Sequence, residues 1–205
     1  MSRTLYLSGP YVNQEVLAYL QSVEDAVLIW EEPIRDVFDV AQIDHVVSCN
    51  YKHLIPLRIL SLLPPVVNLH ISLLPWNRGS QPNFWSFAKN TVKGVTIHQV
   101  TKKVDGGPVY AQTECHFLKP ERETLATTHA YLQATMASLF RETWGAIKNG
   151  ECVPVPQDGE GSYQSRSDFA AVSHLLVNGW DTPVEQVRGI HLVQSREQEE
   201  APAPR

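Results

Sequence analysis

Asn68, His70 and Asp105 supply, within one stretch of the chain, a neutral donor, a titratable ring and a carboxylate. Asn68 and His70 sit in Val66-Val67-Asn68-Leu69-His70-Ile71. Period-2 alternation in such a run puts both polar side chains on one side of a strand. An amide N–H of fixed charge suits the stabilisation of an oxyanion. An imidazole can donate a proton when charged or accept one when neutral, because its ordinary pKa lies near working pH. Asp105 opens Asp105-Gly106-Gly107, a turn that lets a carboxylate approach another group closely. There it can orient His70 and favour the charged ring, or accept a proton through water. The residue types do not decide which of the two is the base. Singly, each residue has an ordinary structural explanation; it is their occurrence together that argues for a site.

The intervening residues add binding chemistry. Pro75 breaks the strand, and Trp76-Asn77-Arg78-Gly79 brings together an aromatic plane, an amide, a guanidinium and a glycine. A second strand is expected over Gly94-Val95-Thr96-Ile97-His98-Gln99-Val100, leading into the Asp105 turn. His98 alternates there with Thr96, and is equally a plain strand histidine or a group standing behind the trio.

These motifs, Asn68-x-His70, Ser72-Leu73-Leu74-Pro75, Arg78-Gly79, Pro82 with Trp85, Gly94-Val95-Thr96-Ile97-His98 and Asp105-x-Gly107, resemble those of the formyltransferases that use N10-formyltetrahydrofolate. The wording Leu74-Pro75-Trp76-Asn77-Arg78-Gly79 followed by Pro82-Asn83-Phe84-Trp85-Ser86 is most similar to the sugar N-formyltransferases. The resemblance implies N10-formyltetrahydrofolate as co-substrate, no metal, and Asn68, His70 and Asp105 as the catalytic residues. It places the folate against the loop Cys49, Asn50, Tyr51, Lys52 and His53, mainly through peptide groups, with Gly107 as a further contact. It implies an acceptor amine on a nucleotide-linked aminosugar, a dTDP-4-amino-4,6-dideoxyhexose first among them. Arg78 is then expected at the diphosphate, Trp76 in packing or stacking, and Asn77 and Asn83 in polar contacts. Glycinamide ribonucleotide formylation and hydrolysis of the folate to formate are the competing activities, and a binding module that has lost catalysis is the non-enzymatic one. Ser8-Gly9-Pro10-Tyr11, poor in glycine beside the corresponding loop of many formyltransferases, is not expected to contact phosphate.

The elements that must position these groups read as one α/β domain over residues 1–194. Its sheet is doubly wound and mainly parallel with an antiparallel extension, and ligands in such sheets bind beyond the carboxyl ends of the strands. Strands are expected at Thr4-Leu5-Tyr6-Leu7, at Ala26-Val27-Leu28-Ile29-Trp30 as a run buried on both faces, and at His45-Val46-Val47-Ser48. Helices are expected after Pro10, around Ile34 to Val40, and from Leu54 to Leu63 facing the core. Val109 to Phe117 should pair antiparallel with the Val95 strand. Thr124 should cap a long helix bearing Leu125, Leu132, Met136, Leu139, Phe140, Trp144 and Ile147 on its core face, and Asn149-Gly150 should end it. Asp158 to Ser162 reads as a loop, Ser167 to Asn178 as a last helix, and residues 195–205 as a disordered tail.

With 22 acidic against 17 basic side chains and no basic block, the chain offers no electrostatic surface for nucleic acid. Three cysteines without CxxC spacing read as structural thiols of a reducing compartment. No apolar run approaches membrane-spanning length, so a cytoplasmic protein without a membrane partner is expected, with a homodimer as a candidate assembly.

Overall fold

The computed structural model describes residues 2–35 and 42–190. A six-stranded sheet runs in the order β2-β1-β3-β4-β6-β7, built from β1 (Arg3–Ser8), β2 (Ala26–Trp30), β3 (His45–Cys49), β4 (Val66–His70), β6 (Gly94–Gln99) and β7 (Val109–Glu114). The first four strands are mutually parallel, β6 runs antiparallel to β4, and β7 antiparallel to β6. The expected α/β class, with a parallel sheet extended by antiparallel strands, is the one observed.

Strand alternation divides the core between the two faces. Tyr6, Val47, Cys49, Val67, Leu69, Val95 and Ile97 pack against α1 (Gln14–Val23) and α4 (Leu125–Lys148). Leu5, Leu7, Val46 and Val66 point the other way, where Ile34, Ile43 and Ile59 cover them. Asn68 and His70 share the face of Val66, so they lie on the side of the sheet opposite α4. Near them the short β5 (Arg78–Gly79) pairs with β8 (Tyr163–Gln164), flanked by α3 (Pro82–Ala88) and α5 (Arg166–Val172).

The α4 helix starts where its cap demands. The Thr124 hydroxyl accepts from the Thr127 N–H, and the Thr127 hydroxyl accepts in return from the Thr124 N–H. Its seven expected core residues are all buried. Trp144, only 1% exposed, also donates from Nε1 to the Glu24 carboxylate at 2.8 Å, which Lys148 and the Ser2 hydroxyl contact as well. Replacing Trp144 by alanine should lower the unfolding free energy by about 3–5 kcal/mol, because a core cavity opens and a buried carboxylate loses a donor. Urea unfolding followed by far-UV circular dichroism checks this; a loss below 1 kcal/mol would show that the site collapses freely.

Two expectations fail on physical grounds. Strand β2 is not buried on both faces: it forms a sheet edge, with Leu28 39% and Ile29 45% exposed. The segment 54–63 is not a core-facing helix but a single turn, α2 (Leu57–Leu60), of which only Ile59 is buried. Pro56 sits at its N-cap and Pro64-Pro65 follows closely, so no longer helix fits between them. Most of the helix expected around Ile34 to Val40, and all of the tail at 195–205, fall on positions outside the described residues.

Candidate active site

Asn68 and His70 emerge from β4, and the chain after β6 folds back over the same face to bring Asp105 to them. The register sets Asn68 directly opposite His98 and His70 opposite Thr96. The His98 Nδ1 lies 3.0 Å from the Gln99 carbonyl, which can only accept, so the ring carries its proton there. Its Nε2 then accepts from the Asn68 amide at 3.0 Å, and lies 3.5 Å from Asp105 Oδ1. The half-buried Asn68 thus has one N–H anchored and a second left for a ligand.

His70 is 8% exposed, with its Nε2 3.1 Å from the Asn77 carbonyl and its Nδ1 3.7 Å from Asp105 Oδ2. The carbonyl again selects the tautomer: Nε2 holds the proton of the neutral ring, and Nδ1 offers its lone pair on the Asp105 side. Burial pushes the imidazole below its ordinary range, Asp105 pulls it back up, and His98 adds to the lowering. Ionisation of Asp105 is opposed by burial, yet His70 and the Gly79 N–H hold it well below the usual carboxylate range. That N–H donates to Oδ2 at 2.8 Å. The resting cluster therefore contains an ionised Asp105 beside a neutral His70 that becomes better stabilised by Asp105 the moment it takes a proton.

The loop over this cluster is held from several sides. Thr96 accepts from the Leu74 N–H at 3.1 Å and donates to the Ser72 carbonyl at 2.7 Å, while Gln112 donates to the Leu74 carbonyl at 2.7 Å. The Leu74–Pro75 peptide is cis. Gly79, at φ 93°, packs so tightly on β8 that a Cβ there would lie 2.2 Å from the Gln164 carbonyl oxygen.

Among the expected binding residues, Trp76 and Arg78 stay half-buried at the site. The Arg78 side chain reaches the Ser162 carbonyl through Nε at 3.5 Å, and among the described residues no carboxylate pairs with it. Asn77 and Asn83 are engaged inside the protein instead. The Asn77 amide, fully buried, donates to Thr91 at 2.7 Å. The Asn83 amide donates to the Leu125 carbonyl at 3.0 Å and to Thr128 at 3.1 Å, tying α3 to α4. Neither amide N–H set is left for a ligand. Gly107 is buried and fits only because it lacks a Cβ, which would lie 1.8 Å from the Gln99 carbonyl oxygen, so packing explains it without a folate contact.

The loop after β3 commits most of its side chains internally. The Cys49 thiol is buried beside Tyr6 and burial pushes it up to about 12. Asn50, at φ 60°, donates to the Tyr11 carbonyl at 3.0 Å and accepts from Gln133 at 3.2 Å. The Tyr51 hydroxyl donates to the Glu32 carbonyl at 2.7 Å. Lys52 lies over the Tyr11 ring, and Arg166 donates to the Lys52 carbonyl. Only Lys52 and His53 are exposed, which leaves peptide groups as the main offering of this loop. Among the described residues no cluster of three or more His, Cys, Asp or Glu is arranged to hold a metal ion.

Comparison with known proteins places the chain in a family. Residues 21–141, more than half of the chain, match the formyl transferase family, and the chain belongs to that family of enzymes. It is similar to the formyltransferase PseJ from Anoxybacillus kamchatkensis, at 35% identity and a TM-score of 0.85 over 92% of this chain and 99% of PseJ. That protein was solved with UDP-4,6-dideoxy-4-formamido-L-AltNAc and tetrahydrofolate. A sugar N-formyltransferase candidate from Mycobacterium tuberculosis is 26% identical, with a TM-score of 0.74 over 84% of this chain and 79% of its own. A 4-N formyltransferase from Francisella tularensis, 19% identical with a TM-score of 0.75 over 92% of this chain and 86% of its own, shares the fold.

Proposed function

We propose that this enzyme transfers the formyl group of N10-formyltetrahydrofolate to the amine of a nucleotide-linked 4-amino-4,6-dideoxyhexose. The observation that carries the reading is the likeness to PseJ, which spans nearly all of both chains and whose bound sugar bears the formamide that such a transfer would leave. The folate would lie along the loop of residues 49–53, read through peptide groups, since the side chains of Cys49, Asn50 and Tyr51 are otherwise engaged. It supplies the activated formyl carbon; the remaining work belongs to the protein.

The free N–H of Asn68 donates to the oxygen that gains charge as the amine attacks, a contribution typically worth about a hundredfold to a thousandfold in rate. His70 accepts the proton the amine must lose, because its Nδ1 lone pair is the one basic site the Asn77 carbonyl leaves open. Asp105 stabilises the imidazolium that results, and the proton passes on to folate N10 as the bond from N10 to the formyl carbon breaks and tetrahydrofolate leaves. Arg78, with no carboxylate partner among the described residues, faces the diphosphate, and Trp76 packs on the sugar nucleotide. The carrier base is the finest part of the reading. The family wording points to dTDP and the PseJ complex to UDP, which differ by a base methyl and a ribose hydroxyl.

Incubation with N10-formyltetrahydrofolate and UDP-, dTDP- and GDP-linked 4-amino-4,6-dideoxyhexoses, alongside glycinamide ribonucleotide, tests this. Tetrahydrofolate should form with a UDP- or dTDP-linked sugar, and the product should gain the mass of a formyl group in place of hydrogen. Turnover with glycinamide ribonucleotide alone, or formate release that needs no amine, would overturn the sugar reading.

A further inference from the structure

The segment 155–164 lies beyond residues 21–141, yet it touches Asp105 and also Asn77, the residue on which His70 is anchored. It leaves β7 through a bridge in which the Val155 N–H donates to the Val109 carbonyl at 2.8 Å and the Val109 N–H donates back at 2.7 Å. Gln157 then donates from Nε2 to the carbonyls of Asp105 and Gly107, each at 2.8 Å. Its Oε1 is buried with no donor near it, so the amide is oriented by what it donates to. Asp105 needs such a hold. At φ 47° it occupies a left-handed backbone conformation, which Asp tolerates better than most residues with a Cβ but which still costs free energy that its surroundings must offset.

Five residues on, the same segment meets the loop that anchors His70. The Asn77 N–H donates to the Ser162 hydroxyl at 2.8 Å, the Arg78 N–H to the Ser162 carbonyl at 2.9 Å, and the Ser162 N–H to the Pro75 carbonyl at 3.2 Å. Gly161 makes this approach because it has no Cβ, which would lie 2.2 Å from the Pro75 carbonyl oxygen. Asn77 is the residue whose carbonyl fixes the tautomer and direction of His70.

We infer that the segment 155–164 is a strap that sets the spacing and orientation of His70 relative to Asp105, with Gln157 and Ser162 as its positioning residues. Gln157 fixes the Asp105 turn from behind, and Ser162 fixes the carbonyl to which His70 is anchored. Neither needs to touch substrate; both act through the pair. The inference rests on the reading that His70 and Asp105 serve the transfer.

The test compares Gln157→Met, Gln157→Lys and Ser162→Ala with the parent, and with His70→Asn and Asp105→Asn as controls. Methionine keeps the volume of glutamine but cannot donate, whereas a lysine ammonium can donate to both carbonyls. Gln157→Met and Ser162→Ala should each lower kcat by about tenfold to a hundredfold, the cost of a small misplacement of catalytic groups, with KM for both substrates within twofold. Gln157→Lys should recover most of the kcat that methionine loses. The histidine titration of His70, followed by NMR with Asp105 and His98 as its charged or titratable neighbours, should move to lower pH in Gln157→Met as Asp105 drifts from the ring. Circular dichroism distinguishes a misfolded variant, and in that event the lysine and Ser162 variants decide. Unchanged kcat and an unmoved titration in folded variants, with both controls inactive, would overturn the strap alone. Activity in the two controls would overturn the catalytic reading beneath it.

Discussion

Replacing His70 by asparagine is expected to lower kcat by about a hundredfold to ten-thousandfold, the usual range for loss of a positioned acid–base group. The fold should persist. Asparagine stops short of the Asn77 carbonyl that now sits 3.1 Å from His70 Nε2, so one hydrogen bond is lost, but the site lies at a strand end outside the three packed cores. The loss should fall on kcat with KM for both substrates little altered, because His70 is proposed to meet the amine proton only as the bond forms. Steady-state kinetics at saturating folate, with a thermal melt of both proteins, checks it. A variant within fivefold of the parent would remove His70 from proton transfer and leave Asn68 and binding to account for the rate.

Much of the frame was legible because periodicity and caps agree. The run from Thr4 to Leu7, the Val66 to His70 strand, the antiparallel pair of β6 and β7, and the Thr124 cap with its stripe of seven apolar residues all appear where local chemistry puts them. Position within the sheet was a different matter. An apolar run such as Ala26–Trp30 carries no mark that distinguishes a central strand from an edge one, and only the strand order shows that β2 has a free side. The segment 54–63 misled for a related reason: apolar residues at helical spacing predict a helix, but Pro56 holds its start back to Leu57 and Pro64-Pro65 follow closely.

The clustering of Asn68, His70 and Asp105 was legible because they share one strand and one turn within a single stretch. His98 was half legible: its alternation with Thr96 placed it on a face, but its contact with Asn68 follows from a register that only the folded pair defines. Asn77 and Asn83 show the converse. An amide in a loop next to a catalytic strand looks like binding chemistry, and nothing local distinguishes one that meets a ligand from one that ties two helices together or anchors a loop. The strap was not legible at all. Its contacts with the site run mainly through backbone groups, one glutamine and one serine, and such contacts leave no periodic signal in a sequence.

Asp105→Asn separates the two roles its carboxylate could have. Asparagine keeps an oxygen for the Gly79 N–H, so the loop should stay in place while the charge is lost. Without that charge, the pull that now raises His70 against burial disappears, and the ring falls further below its ordinary range. If His70 is the base, the parent rate falls as acid protonates the ring, and in the variant this acid limb moves to lower pH. At the plateau kcat should still be lower by about a hundredfold to ten-thousandfold, since the imidazolium formed during transfer has lost its counter-charge and the ring is a weaker base. If His70 instead acted as a charged donor, the activity would sit on the acid side of its titration, and removing Asp105 would pull the alkaline limb down in pH. A full pH–rate profile of parent and variant distinguishes these outcomes by which limb moves. A profile that is lower but unshifted would mean that Asp105 takes the amine proton through water and leaves His70 to orient the formyl oxygen.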